Sequence, residues 1–318
     1  MKQSPRPLNC VVFGGGGFIG SSIVDALLYC RHYVRVFERP RVAPYRHFQP
    51  SESIEWITGD LLSQSDVNAA IDGMDVVYHL VSFTLPKSSN DDPIYDIQTN
   101  VLATLQMLNA LVVRKVPRII FISSGGTVYG IPAYLPVDER HPTEPTVSYG
   151  ITKLTIEKYL LMYQRLHGIR SIILRVANPY GQRQRVETAQ GAVGVFLHRA
   201  LRGLPIEIWG DGTIARDYLH VSDVANAFVS ALDYGGQQSV FNIGSGTACS
   251  LNQLLDQIDK VLQIKVERRY LPSRTFDVPV NVLSNALAAR ELKWAPSVEL
   301  DAGLRQTVDW LRETTLPL

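Results

Sequence analysis

Leu8-Asn9-Cys10-Val11-Val12-Phe13-Gly14-Gly15-Gly16-Gly17-Phe18-Ile19-Gly20 decides the fold of this chain. Its first six residues form a short apolar run that reads as a buried strand. Glycines follow, and from Ser21 to about Tyr29 the apolar positions repeat with helical spacing. Strand, glycine turn and helix in that order make a phosphate-binding unit. Glycine is needed because the turn is tight, because a pyrophosphate must approach the backbone, and because the helix must sit close to the strand. The helix N-terminus then offers free amides to the phosphate. Two glycine frames fit, one through 15, 17 and 20 and one through 14, 17 and 20.

Outward from this unit the alternation continues. A second strand, Val34-Arg35-Val36-Phe37, ends at Glu38, eighteen residues past Gly20. A carboxylate there accepts hydrogen bonds from the adenosine ribose hydroxyls and favours NAD over NADP. Arg39 follows at once and offers a cation for a 2′-phosphate, which keeps the second cofactor in play. Residues 54–57 read as a third strand leading to Gly59-Asp60-Leu61, where Asp60 either meets the adenine amino group or caps the next helix. Residues 75–80 are nearly all apolar, as in a strand covered on both faces. His79 near its end reads as a satisfied structural histidine. The pattern over 94–113 predicts one long helix containing Asn100. A buried strand over 116–122 runs into Ser123-Ser124-Gly125-Gly126-Thr127-Val128-Tyr129-Gly130, and another over 172–176 leads to Asn178-Pro179-Tyr180-Gly181.

This order predicts an α/β protein with a doubly wound parallel (Rossmann) sheet, whose ligands bind beyond the carboxyl ends of the strands. The hydroxyl-rich stretch after residue 122 is therefore expected in the site. Beyond residue 179 the elements shorten and turn chemistry appears, as in Trp209-Gly210-Asp211-Gly212-Thr213. The expected division is 1–178 as an NAD-binding domain, with segments in about 213–244 contributing, and 179–318 as a smaller mixed α/β substrate-binding lobe.

Hydrophobic residues make up 46 % of the 318, enough for a sizeable core, and a net charge of +1 advertises no nucleic-acid partner. No apolar run approaches the roughly 20 residues of a membrane span. Residues 1–7 lack an apolar signal-peptide core. Cys10, Cys30 and Cys249 are odd in number and scattered, which fits neither a disulfide framework nor a metal site. A cytoplasmic protein without a metal is expected.

Tyr149 and Lys153, in Ser148-Tyr149-Gly150-Ile151-Thr152-Lys153, are four apart near the start of a helical pattern and so share a face. An ammonium favours tyrosinate and lowers a phenol pKa that is otherwise about 10. A tyrosine so tuned exchanges a proton with a hydroxyl near neutral pH. An exposed tyrosine beside a solvated lysine would show the same spacing.

The glycine loop, the stretch from Ser148 to Lys153, and Arg216-Asp217-Tyr218-Leu219-His220-Val221-Ser222-Asp223 together resemble the extended short-chain dehydrogenase/reductase family, in its UDP-glucose 4-epimerase branch. The resemblance runs from Phe13-Gly14 to Leu292-Lys293-Trp294-Ala295-Pro296. It implies that Gly14, Gly17 and Gly20 pass the pyrophosphate, that Glu38 binds ribose and that Asp60 binds adenine. Phe18, Ile19, Leu61, Leu80, Ser82, Asn100 and Ser123 would line the remaining NAD site. Tyr149 would be the acid/base, while Lys153 would bind the nicotinamide ribose and lower the Tyr149 pKa. Asn178 would contact sugar or phosphate, and Asp277 the nucleoside ribose. Arg216 and Arg274 would clamp the diphosphate, a task suited to planar guanidinium forks. The implied reaction is C4 epimerisation of a UDP-hexose through a 4-keto sugar, with NAD retained, for cell-surface polysaccharide precursors. A homodimer is implied through the helices around residues 100–113 and 149–166, which keep apolar residues beyond one core-facing stripe.

The chain departs from the family pattern in places. The family carries Ser or Thr four residues before the tyrosine of Val-Tyr-Gly; here Gly125 stands there. Thr127 shares the face of 125 on an extended segment and is expected to supply the missing hydrogen bond as a third catalytic group. Asn281 occupies the position that gates the sugar, and its small size predicts acceptance of N-acetylated hexoses. Leu80-Val81-Ser82 replaces the usual alanines or glycine. A 4,6-dehydratase would need an Asp-Glu pair where Gly126 and Thr127 stand, and Glu38 argues against an NADPH-dependent 4-keto reductase. A non-catalytic NAD-binding protein of the same fold is the alternative from another class. Gly125 supports it, and the Tyr149/Lys153 pair opposes it.

Overall fold

The computed structural model describes residues 6–86, 88–185, 191–273 and 278–314. In chain order the strands are β1 (Asn9–Phe13), β2 (Tyr33–Glu38), β3 (Ile54–Thr58), β4 (Val76–His79), β5 (Arg118–Ser124), β6 (Arg170–Val176), β7 (Asn178–Tyr180), β8 (Ile206–Trp209), β9 (Ala215–His220), β10 (Val240–Ile243), β11 (Ala248–Ser250), β12 (Arg268–Leu271) and β13 (Val280–Asn281). The helices are α1 (Phe18–Tyr29), α2 (Gln64–Ile71), α3 (Pro93–Asp96), α4 (Ala103–Arg114), α5 (Ser148–His167), α6 (Ala192–Leu201), α7 (Val221–Leu232), α8 (Leu251–Leu262), α9 (Ala286–Glu291) and α10 (Leu300–Thr314).

The central sheet runs β3-β2-β1-β4-β5-β6-β10, with every pair parallel. Its order reverses between β1 and β4, so the crevice beyond those two strand ends is where a doubly wound sheet takes its ligand. Both faces are covered, which is why β4 is buried along its whole length. Ile23, Val24 and Leu27 of α1 and Phe228 of α7 pack on one face. Ile71 of α2, Leu108 of α4 and Leu160 of α5 pack on the other. Each fully buried side chain of this size contributes about 1.5–3 kcal/mol.

β7, β9, β11 and β13 form a small mixed sheet, and β8 pairs with β12. A third core from α6, α8 and α10 packs against these strands. From the 213–244 stretch, α7 packs on α1 and β10 extends the large sheet, whereas β9 lies in the small one.

The single helix read over 94–113 is interrupted. α3 passes into a π-helical turn, Ile97–Leu102, before α4 begins. The wider turn holds Asn100, which fastens the loop after β4: its Oδ1 accepts the Phe83 N–H (3.0 Å) and its Nδ2 donates to Thr84 Oγ1 (3.3 Å). No helix among the described residues is long and apolar enough to cross a membrane.

Candidate active site

The glycine loop follows the 14, 17, 20 frame. Gly14 adopts φ +85°, in the left-handed region that favours glycine. Its N–H donates to the Phe37 carbonyl and its own carbonyl accepts the Gly17 N–H. A Cβ on Gly20 would stand 2.0 Å from the Gly14 carbonyl oxygen, so α1 can approach the loop this closely only with glycine there. Gly17 provides no side chain to cap α1, and the first-turn amides, those of Phe18 and Ile19 among them, remain for an anion. At the end of β2 the Glu38 carboxylate accepts the Gly16 N–H (2.9 Å) and the Arg39 N–H (3.2 Å), which fixes it at the rim of the loop. Asp60 is exposed after β3 and accepts the Leu62 N–H, while Leu61 is buried beneath it. Leu80 continues the parallel ladder by donating to Phe13, and the Ser82 hydroxyl turns onto the Thr84 carbonyl. These features fit the pyrophosphate and adenosine ribose of NAD.

Tyr149 and Lys153 both lie in the first turns of α5. Lys153 is buried; its Nζ donates to the Ile122 carbonyl (3.1 Å) and lies 4.7 Å from the Phe121 ring and 5.5 Å from the Tyr149 ring. Burial pushes this ammonium down to about 8, against the pull of Asp96 and Glu157. The pair is together, but the phenol does not show the expected lowering. Burial, aided by Asp96, pushes Tyr149 up to about 12. His79 shares a hydrogen bond with Thr104 (2.9 Å), and burial together with Lys153 drives it down to about 3, so it is a neutral structural ring.

Ser123 and Asn100, also expected at the cofactor, bond to neighbouring protein groups. The Ser123 hydroxyl donates to Glu157, which forms a buried ion pair with Arg175 (2.6 Å). Arg175 in turn donates to the Tyr129 hydroxyl (2.8 Å), tying α5 to β5 and β6. Asn100 holds the 83–84 loop as described.

Gly125 has a steric cause. A Cβ there would stand 2.4 Å from Leu283 Cδ1 and 3.2 Å from the Arg175 carbonyl. Leu283 is fully buried with Val128, Tyr129, Val137 and Ala177, so its side chain fills the space a serine would need. Asn281, buried on β13, donates to the Gly125 carbonyl (3.3 Å), and its Oδ1 has no partner among the described residues. Thr127 Oγ1 is likewise buried without a partner there. Its carbonyl abuts the first turn of α5, 2.7 Å from where a Cβ on Gly150 would lie, which brings the Thr127 segment beside Tyr149. An unpaired buried hydroxyl costs about 1–3 kcal/mol.

A cavity of about 530 Å³ opens between β7, β9, α6 and β8. Asn178, Arg216, Phe196, Glu207, Trp209 and Tyr218 are among its lining residues. Arg216 also donates to the Ala215 and Val278 carbonyls. The neighbouring Asp217 carboxylate accepts from the Ser245 N–H and hydroxyl and from the Gly246 and Leu283 N–H groups. Gly125 donates to the carbonyl of Val176, two residues before the cavity-lining Asn178. Arg274 and Asp277 lie outside the described residues. Sequence reasoning missed Leu283, whose signal is a large residue two after Asn281 and hence on the same extended face. It also missed Asp96, the sole acid in the helical pattern over 94–113, and the Glu207 and Trp209 wall.

Fold and site together define a nicotinamide-dinucleotide protein of the short-chain dehydrogenase/reductase type. Residues 10–244 match the model of the NAD dependent epimerase/dehydratase family, and the chain belongs to that family, with NAD as its cofactor. It is 34% identical over 303 residues to a putative UDP-glucose 4-epimerase of Methanocaldococcus jannaschii, covering 95% of this chain and 98% of the relative. It is 30% identical over 322 residues to a dTDP-4-dehydro-6-deoxyglucose reductase of Escherichia coli, covering 96% and 98%. Among solved structures, the UDP-glucose 4-epimerase of Thermotoga maritima with UDP-glucose superposes with a TM-score of 0.91 at 32% identity, covering 97% of this chain and all of that one.

Proposed function

We propose that this chain is an NAD-dependent 4-epimerase of a UDP-hexose or UDP-N-acetylhexosamine. The observation that carries the reading is one juxtaposition: Tyr149 and Lys153 stand beyond the strand ends, and a cavity holding Asn178 and Arg216 begins two residues from the Gly125 partner. Tyr149 takes the proton of the sugar C4 hydroxyl, and Lys153 holds the nicotinamide ribose. Gly14, Gly17, Gly20 and Glu38 would hold NAD, which when bound would supply the hydride acceptor and donor for C4. The Thr127 hydroxyl holds the C4 oxygen in place of the absent residue-125 hydroxyl. Asn178, Arg216 and Arg274 retain the diphosphate while the 4-keto sugar turns, Asp277 holds the nucleoside ribose, and Tyr149 returns the proton. Glu38 at the ribose position opposes an NADPH-dependent reductase, and Gly126 and Thr127 lack the carboxylates of a dehydratase.

The reading extends to residues 1–178, with α7 and β10, as the NAD half and 179–318 as the substrate half. It also includes a cytoplasmic homodimer serving polysaccharide precursors. Exposed Ile94, Ile97 and Leu102, with Ile151 and Leu166 of α5, give that dimer an apolar face. The test is a screen of UDP-, GDP- and dTDP-sugars with products identified by NMR. C4 epimers of both UDP-glucose and UDP-N-acetylglucosamine are expected. Turnover confined to the plain hexose would remove the role given to Asn281, and consumption of NADPH without epimer would favour the reductase.

A further inference from the structure

One buried acid beside the site has no part in the mechanism above. Asp96, the last residue of α3, is fully buried. Its Oδ1 accepts from Thr84 Oγ1 and from Asn100 Nδ2 (2.9 Å). Its Oδ2 accepts from Ser148 Oγ (2.7 Å) and Thr152 Oγ1 (2.8 Å). Ser148 immediately precedes Tyr149 and Thr152 immediately precedes Lys153. The carboxylate therefore joins three segments: the loop after β4, the π-helical turn, and the start of α5. All four donors are neutral groups. An amide side chain would satisfy a scaffold of neutral donors at far less desolvation cost than a buried charge.

We propose that Asp96 is a positioning residue that pins the turn carrying Tyr149 and supplies the negative charge in whose field Tyr149 and Lys153 hold their protons. The proposal rests on the acid/base role given to that pair under the proposed function. Geometry and electrostatics agree. Asp96 adds to burial in raising the Tyr149 phenol, and it comes first among the groups that oppose the lowering of Lys153. The remaining groups facing the pair are Glu157, one turn further along α5, and the neutral His79 of β4. Removing the Asp96 charge lowers the proton affinity of both partners. The pH profile then slides to lower pH as a unit, where a lost scaffold would only reduce its height.

The test is Asp96→Asn in the full chain. The Ser148 and Thr152 hydroxyls can rotate to accept from the new amide, so the packing survives. With ¹³C-labelled tyrosine, the Tyr149 signal, assigned by its loss in Tyr149→Phe, is expected to begin titrating about one pH unit lower in Asp96→Asn, a tenfold fall in proton affinity. The alkaline limb of turnover should move the same way. An unshifted titration overturns the proposal. Ser148→Ala with Thr152→Val keeps the charge but removes two bonds, and Tyr149 is expected to titrate at or above its wild-type position. A fall matching that of Asp96→Asn would overturn the charge role. Absence of sugar turnover in the wild type would count against the epimerase reading, while the NMR titration still decides the role of Asp96.

Discussion

Tyr149→Phe is expected to lower turnover of a UDP-sugar by about 10²–10⁴-fold or more while leaving the melting temperature and bound NAD unchanged. Only one oxygen is removed. The ring keeps its place 5.5 Å from the Lys153 ammonium, and the backbone N–H still donates to Ser89 Oγ (3.0 Å). Loss of NAD from the variant would mean that the phenol is structural. Thr127→Val gives the complementary result. The hydroxyl is buried and has no partner among the described residues, so its removal should leave stability equal or slightly higher. Turnover should nevertheless fall by about tenfold, the worth of one lost hydrogen bond of about 1.4 kcal/mol at the reacting oxygen. Near-full turnover in Thr127→Val, beside an inactive Tyr149→Phe, would remove Thr127 from the site.

The second large effect concerns Gly125. Gly125→Ser alone should destabilise the chain by about 1–3 kcal/mol, because its Cβ would meet Leu283 Cδ1 at 2.4 Å in a filled core. Leu283→Ala alone should cost about 2–5 kcal/mol through the cavity it leaves. The two changes touch the same space, so together they should cost less than their sum, with a coupling of about 1–3 kcal/mol in a denaturation cycle. The double variant also restores a hydroxyl at the position where the family keeps one, and its turnover should exceed that of Gly125→Ser. Strict additivity would mean that Leu283 is not what excludes a side chain at 125.

The large sheet was legible because covered parallel strands are continuously apolar and the glycine loop has few other uses. Both signals are local. The place of Glu38 at the end of β2 and of Tyr149 and Lys153 near the start of one helix was legible for the same reason: each is a short-range relation along one strand or one helix. What failed was set by contacts distant in the chain. The π turn at Ile97–Leu102 follows from Asn100 reaching the 83–84 loop, and the glycine at 125 follows from a leucine 158 residues later. The rise of the Tyr149 phenol also lay beyond the sequence, since spacing reports that a lysine is near but not how much water both groups lose or that Asp96 lies beside them. The bond from the Ser123 hydroxyl to Glu157, 34 residues on, was likewise beyond a reading of the strand alone.

On the proposed mechanism, C4 of a UDP-sugar gives up a hydride and recovers it within one site built on Tyr149. The most direct measurement uses UDP-glucose deuterated at C4, the purified chain and no added nicotinamide, with the product read by NMR. The expected product is UDP-galactose that keeps its deuterium at C4, with none released to water. Loss of the label to solvent, or turnover only on addition of stoichiometric NADPH, would contradict it.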